Sequence, residues 1–265
     1  MTFLIAAGIY LPLLATDRGW ISTTLPPGLP VIGILSPGIA TLVIHLYEDG
    51  VAGLRSALGG LTAWRFGRAW WGVTLLLPPA FAAVYAGGHL ALGHEFVPEP
   101  VRMVSEAGAA IVLFALAMFV LSAGEEIGWR GQLPPLLQDR MSAVLASLVI
   151  GAVWAVWHVP VFYAAGIEGW AFTHRFISLF GGAVMYTWLF NDTGGSVLAV
   201  TLLHAGTNFW GRLLAPNPTP TPAATVFSAT NVLLAVGLLV VFGGATLTDR
   251  RRLPDPRRAG RLLDR

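Results

Sequence analysis

Three stretches of this chain, residues 70–92, 142–166 and 224–247, each run for more than twenty residues without one Asp, Glu, Lys or Arg. An α-helix rises 1.5 Å per residue, so about 20 mainly apolar residues cross a hydrocarbon layer about 30 Å thick. Five further segments, residues 3–16, 28–46, 106–127, 172–190 and 195–214, follow the same pattern less cleanly. The first of these is short for a full crossing, and the second carries Pro37. Because the apolar runs are continuous rather than alternating, a membrane β-barrel is a poor fit. The expectation is an all-α polytopic membrane helical bundle of about eight transmembrane helices, with residues 1–248 forming a single domain.

Composition agrees. Hydrophobic residues make up 55% of the 265 positions and charged residues 11%, with a mean hydropathy of +0.69. A soluble domain carries about 25% charged residues, so much of this surface is expected to face lipid. Cysteine is absent, which excludes disulfides, thiolate metal sites and cysteine nucleophiles together. The amino-terminal run has neither a basic leading segment nor a small-residue cleavage site, so it is expected to stay as the first helix.

All sixteen basic residues are arginine. With an even number of spans and both termini in the cytoplasm, the inner segments hold twelve of them, including Arg55, Arg65, Arg68, Arg130, Arg140 and the seven of the tail, residues 249–265. The outer segments hold Arg18, Arg102, Arg175 and Arg212. Cytoplasmic loops collect positive charge, so this orientation in a cell membrane is the expected one. The Arg-rich tail reads as an anchor beside anionic headgroups rather than a nucleic-acid arm. Leu54, Leu58, Leu61 and Trp64, interleaved with Arg55, Arg65 and Arg68, predict an amphipathic segment lying in the interface. Residues 215–222 read as a stiff, proline-rich connector.

Polar residues inside such spans are the informative ones, because a charge at the bilayer centre costs about 2.5–3.5 kcal/mol or more. The fourth span ends in Gly124-Glu125-Glu126-Ile127-Gly128-Trp129-Arg130. Glu126 and Arg130 stand at i and i+4, in the order that favours an ion pair on one helical face. Glu125 is turned about 100° away and is free for another role. Trp154 and His158 lie in the fifth span, and His204 and Asn208 share a face of the seventh. Each has a bland explanation: an acidic pair at a helix end, or polar groups bonding helices together. Gathered around one hydrated cavity, however, they suit hydrolysis. Glu125 can take a proton from water, His158 can hold that water or pass the proton to a leaving amine, and His204 and Asn208 can donate to an oxyanion. Glu125, His158 and His204 also have the ligand count of a catalytic zinc site, although no His-Glu-x-x-His helix is present.

Glu125-Glu126-x-x-x-Arg130, Trp154-x-x-x-His158 and His204-x-x-x-Asn208, in this order among hydrophobic helices, resemble the CAAX prenyl protease and bacteriocin-processing family, also called Abi proteins. The motif core spans residues 107–210. The resemblance implies an intramembrane glutamate endopeptidase without a cofactor, in which Glu125 and His158 activate water, His204 and Asn208 stabilise the oxyanion, and Glu126 and Arg130 support the site. Zinc remains the alternative cofactor reading. Trp154 stands where the family more often has Phe. The implied partners are the bilayer and a peptide or protein substrate, lipidated or not, and no nucleic acid.

One geometric expectation is demanding. With the fourth helix ending at residue 127, Glu125 and His158 differ in depth by about 15–20 Å. They can share chemistry only if that helix continues through Arg130 to about Leu137, or if the helices are tilted and offset. The rival classes are a transporter or proton relay, whose buried Glu and His line an ion path, and a non-enzymatic self-immunity protein.

Overall fold

The structure is a computed structural model that describes residues 1–93, 108–214 and 221–249. Among these residues every regular element is helical. The order is α1 (Thr2–Asp17), α2 (Leu29–Ile34), α3 (Ser36–Gly59), a 3-10 turn (Gly60–Thr62), α4 (Arg68–Ala91), α5 (Ala110–Gln138), α6 (Ala143–Ala164), α7 (Gly169–Asp192), α8 (Val197–Leu214) and α9 (Thr221–Phe242). The all-α expectation holds. The 215–220 part of the connector, Arg102 and the tail from residue 250 lie outside the described residues.

Four of these helices are long and apolar enough to cross a bilayer: Arg68–Ala91, Ala110–Gln138, Ala143–Ala164 and the Ala224–Phe242 part of α9. The expected count of eight is therefore approximate. α1 has only 16 residues. The second expected span is split, because Pro37 enters the first turn of α3 and α2 stops just before it. α7 and α8 carry His174, Arg175, Asp192, His204 and Arg212, which lower their hydropathy; of these Asp192 and His204 are buried and Arg212 is exposed.

The segment expected to lie in the interface is mostly helical. α3 continues through it with a break at Gly50, whose φ of 60° lies in the region open to glycine. The segment's buried residues are Gly53, Ala57, Gly59, Gly60 and Phe66, while Leu58 and Trp64 stay exposed. Small residues take the helical part of the inward face because the backbone is approached closely there: a Cβ on Gly53 would meet the His45 carbonyl across the Gly50 break, and one on Gly60 would meet the Val197 side chain of α8.

On α6, Ala143, Ala146, Ile150, Trp154 and Trp157 form a buried stripe at spacings of three and four. Its other face shows Leu145, Leu148, Val149 and Val156, and exposed Leu75, Leu76, Leu113, Leu116, Val240 and Val241 extend this apolar exterior to α4, α5 and α9. A helix apolar on both faces suits a membrane setting, where lipid covers the outer one. Ser142 caps α6 by accepting from the Leu145 N–H, and the N–H groups of Ala143 and Val144 donate to the carbonyls of Ala245 and Gly244 beyond α9. The helix start is thereby satisfied without water.

α5 and α8 are central. α5 packs on α3, α6 and α8, and α8 packs on α4 as well. α7 is held between α6 and α9. The motif-bearing helices α5, α6 and α8 thus meet inside the bundle rather than on its rim.

Candidate active site

From Ser122 to Arg130 every residue of α5 is buried, so this part of the helix is enclosed on all sides. The helix does not end at residue 127; it runs on to Gln138. With that continuation, Glu125 accepts from Trp154, one turn before His158 on α6, so the two residues are not separated in depth by a large part of the bilayer. The longer helix also corrects the place of Arg130, which is fully buried in the bundle and not part of an inner loop.

Enclosure makes each hydrogen bond on this segment count, and among the described residues the matching is not complete: Ser122 Oγ and Trp129 Nε1 have no partner, and Glu126 and Arg130 are only partly matched. Glu126 and Arg130 pair on one face: Arg130 Nη1 donates to Glu126 Oε1 at 3.3 Å, and both side chains are 0% exposed. The same oxygen lies 2.8 Å from Nδ1 of His204, which donates to it from α8. The guanidinium is sandwiched between rings, its Cζ 4.7 Å from the centroid of Trp154 and 4.8 Å from that of Tyr186. Cation–π contact of this kind strengthens where water is absent.

Glu125, one residue back, points elsewhere. Its Oε2 accepts from Nε1 of Trp154 at 2.8 Å, and the residue is 5% exposed. Trp154 is the hub of the cluster. Its ring centroid lies 5.3 Å from that of His158, 5.7 Å from His204 and 5.8 Å from Tyr186. His158 Nδ1 is 2.9 Å from the Trp154 carbonyl. A carbonyl only accepts, so Nδ1 carries the proton and Nε2 of a neutral ring keeps its lone pair. His158 and Asn208 are half-buried, whereas Glu126 and Arg130 are sealed. The cluster therefore has an enclosed charged floor and a more open side.

The structure brings Glu125, Glu126, Arg130, His158 and His204 around Trp154 and Tyr186. Asn208 lies one turn beyond His204 on α8, and none of the cluster's hydrogen bonds involves it. Two members were not anticipated. The Trp154 N–H was legible as a departure from Phe, but its acceptor was not. Tyr186 sits in the apolar run Val184-Met185-Tyr186-Thr187-Trp188 and gave no signal.

Among the described residues no three His, Asp or Glu side chains form a group that could hold a metal ion. The carboxylate of Glu125 is turned to an indole, His158 Nδ1 to a carbonyl and His204 Nδ1 to Glu126.

Residues 107–210 match the family model described as type II CAAX prenyl endopeptidase Rce1-like. The chain is also similar to CAAX prenyl protease 2 of Methanococcus maripaludis, with 29% identity over 112 residues that make up 39% of this chain and 41% of that protein. The matched segment thus spans about two fifths of the relative. Since the three motifs and the buried cluster all fall between residues 107 and 210, the likeness to the type II CAAX prenyl endopeptidases is borne out over the part of the chain that carries the candidate site.

Proposed function

We propose that this chain is an intramembrane endopeptidase that hydrolyses a peptide bond with water activated by Glu125 and His158. The observation that carries this reading is the convergence on Trp154: one buried carboxylate that accepts from a neutral N–H, with two imidazoles against the same indole. A neutral donor orients Glu125 without cancelling its charge, whereas Glu126 is already matched by Arg130. Glu125 is thus the carboxylate left to act on water.

In this mechanism the water oxygen attacks the peptide carbonyl while its proton passes to Glu125, and the lone pair on His158 Nε2 holds the water in line. The carbonyl becomes a tetrahedral oxyanion. His204 and Asn208 donate to it, and for His204 the donor is Nε2–H, because Nδ1–H is committed to Glu126. The ring then carries both protons, its charge balanced by the oxyanion it faces. Collapse breaks the C–N bond, and the proton held by Glu125 or relayed through His158 goes to the leaving amine. No covalent intermediate and no metal enter this scheme.

The substrate proposed is a membrane-associated peptide segment, a prenylated carboxyl-terminal peptide first among them, as the name of the archaeal relative suggests. The enzyme sits in the cell membrane with both termini cytoplasmic, a placement supported by the arginine bias that remains once Arg130 is set aside. Purified protein in lipid discs should cleave such a peptide, and Glu125→Ala should lose turnover while keeping native unfolding behaviour. Undiminished cleavage by Glu125→Ala would remove the proposed base. Absence of cleavage by the native chain, with substrate-dependent ion or solute flux instead, would favour a transporter.

A further inference from the structure

Glu125 and Glu126 are adjacent and both buried, yet their partners differ in kind. Glu126 is met by a guanidinium and an imidazole, while among the described residues one hydrogen bond reaches the Glu125 carboxylate, that from Trp154 Nε1 at 2.8 Å. The Trp154 side chain is itself fixed from three directions, by the Arg130 guanidinium on one face and by the rings of His204 and Tyr186. A donor so immobilised dictates where its acceptor sits. We propose that the Trp154 indole N–H is a positioning group for Glu125: by holding one carboxylate oxygen it orients the other toward the reacting water, and it sets kcat without touching substrate. This rests on the reading of Glu125 as the base.

The inference separates two functions of one residue. The Trp154 carbonyl, which receives His158 Nδ1–H, belongs to the backbone and survives any side-chain change. The ring fills space against Arg130 and His204, and a phenyl or benzothienyl ring fills much of it too. Only the N–H is specific to indole. Replacing Trp154 with β-(3-benzothienyl)alanine, which has sulfur in place of N–H, therefore removes the donor and keeps the shape.

The test has two readouts. In ¹⁵N-indole-labelled protein, the Trp154 resonance, identified by its loss in Trp154→Phe, should move in Glu125→Ala; a resonance that stays in place overturns the proposal whether or not the chain is a peptidase. In turnover, the benzothienyl variant should lose about tenfold or more in kcat at unchanged KM, the scale of a hydrogen bond to a charged group. An unchanged kcat in that variant, in protein where Glu125→Ala abolishes cleavage, overturns the positioning role and leaves the endopeptidase reading intact. A native chain that cleaves nothing defeats that reading, and the resonance shift then decides the hydrogen bond alone.

Discussion

Glu126 Oε1 receives His204 Nδ1 at 2.8 Å and Arg130 Nη1 at 3.3 Å, so a single carboxylate oxygen ties α5 to α8 across 78 residues of sequence. Removing one partner leaves a buried charge uncompensated, which costs more than the intact pair contributes. Arg130→Met should therefore lower stability by about 3–5 kcal/mol, measured as unfolding in detergent. The double variant with Glu126→Gln should recover part of that loss, since the uncompensated charge is gone. Native-like unfolding of Arg130→Met would mean that the network adds little to the fold.

Asn208 is proposed to act only once the carbonyl has become tetrahedral. Asn208→Ala should accordingly lower kcat about 10²–10³-fold with little change in KM, as for the loss of one oxyanion donor. Steady-state kinetics on a cleavable peptide checks this. A raised KM at constant kcat would assign Asn208 to substrate binding instead.

Gly124 and Gly128 flank the acidic pair and let α3 lie against α5. A Cβ on Gly128 would stand 2.5 Å from Pro37 Cβ and 2.7 Å from its backbone carbon, which cannot move aside alone. On Gly124 it would meet first the Leu35 Cδ2, the end of a flexible side chain. Gly128→Ala should cost about 1–3 kcal/mol by overpacking, and Gly124→Ala less. Thermal unfolding of the two variants in parallel measures the order, and a reversed order would show that α3 shifts as a unit.

Peptide turnover should persist in excess chelator, because the scheme uses only protein groups and water. Loss of activity on chelation, restored by added zinc, would reverse that expectation and require the cluster to rearrange around a metal.

How much of this was legible beforehand differs from group to group. The Glu126–Arg130 pair followed from i, i+4 spacing on one helix, a relationship that needs no tertiary information. The extension of α5 to Gln138 was one of two possibilities the sequence left open, because Pro134 and Pro135 weaken a helix locally while packing against neighbours carries it through. That Gly53, Ala57 and Gly60 pack inward while Leu58 and Trp64 stay exposed came from close backbone approach, which apolar periodicity does not register.

By itself the sequence determined that this chain is helical and membrane-suited, and which few polar residues its apolar runs carry, because segment length and charge are local properties. Only the tertiary structure decided that His204 joins the Glu126–Arg130 pair while Glu125 turns to Trp154. Two neighbouring carboxylates on a helix point about 100° apart, and what each meets depends on helices brought there by packing.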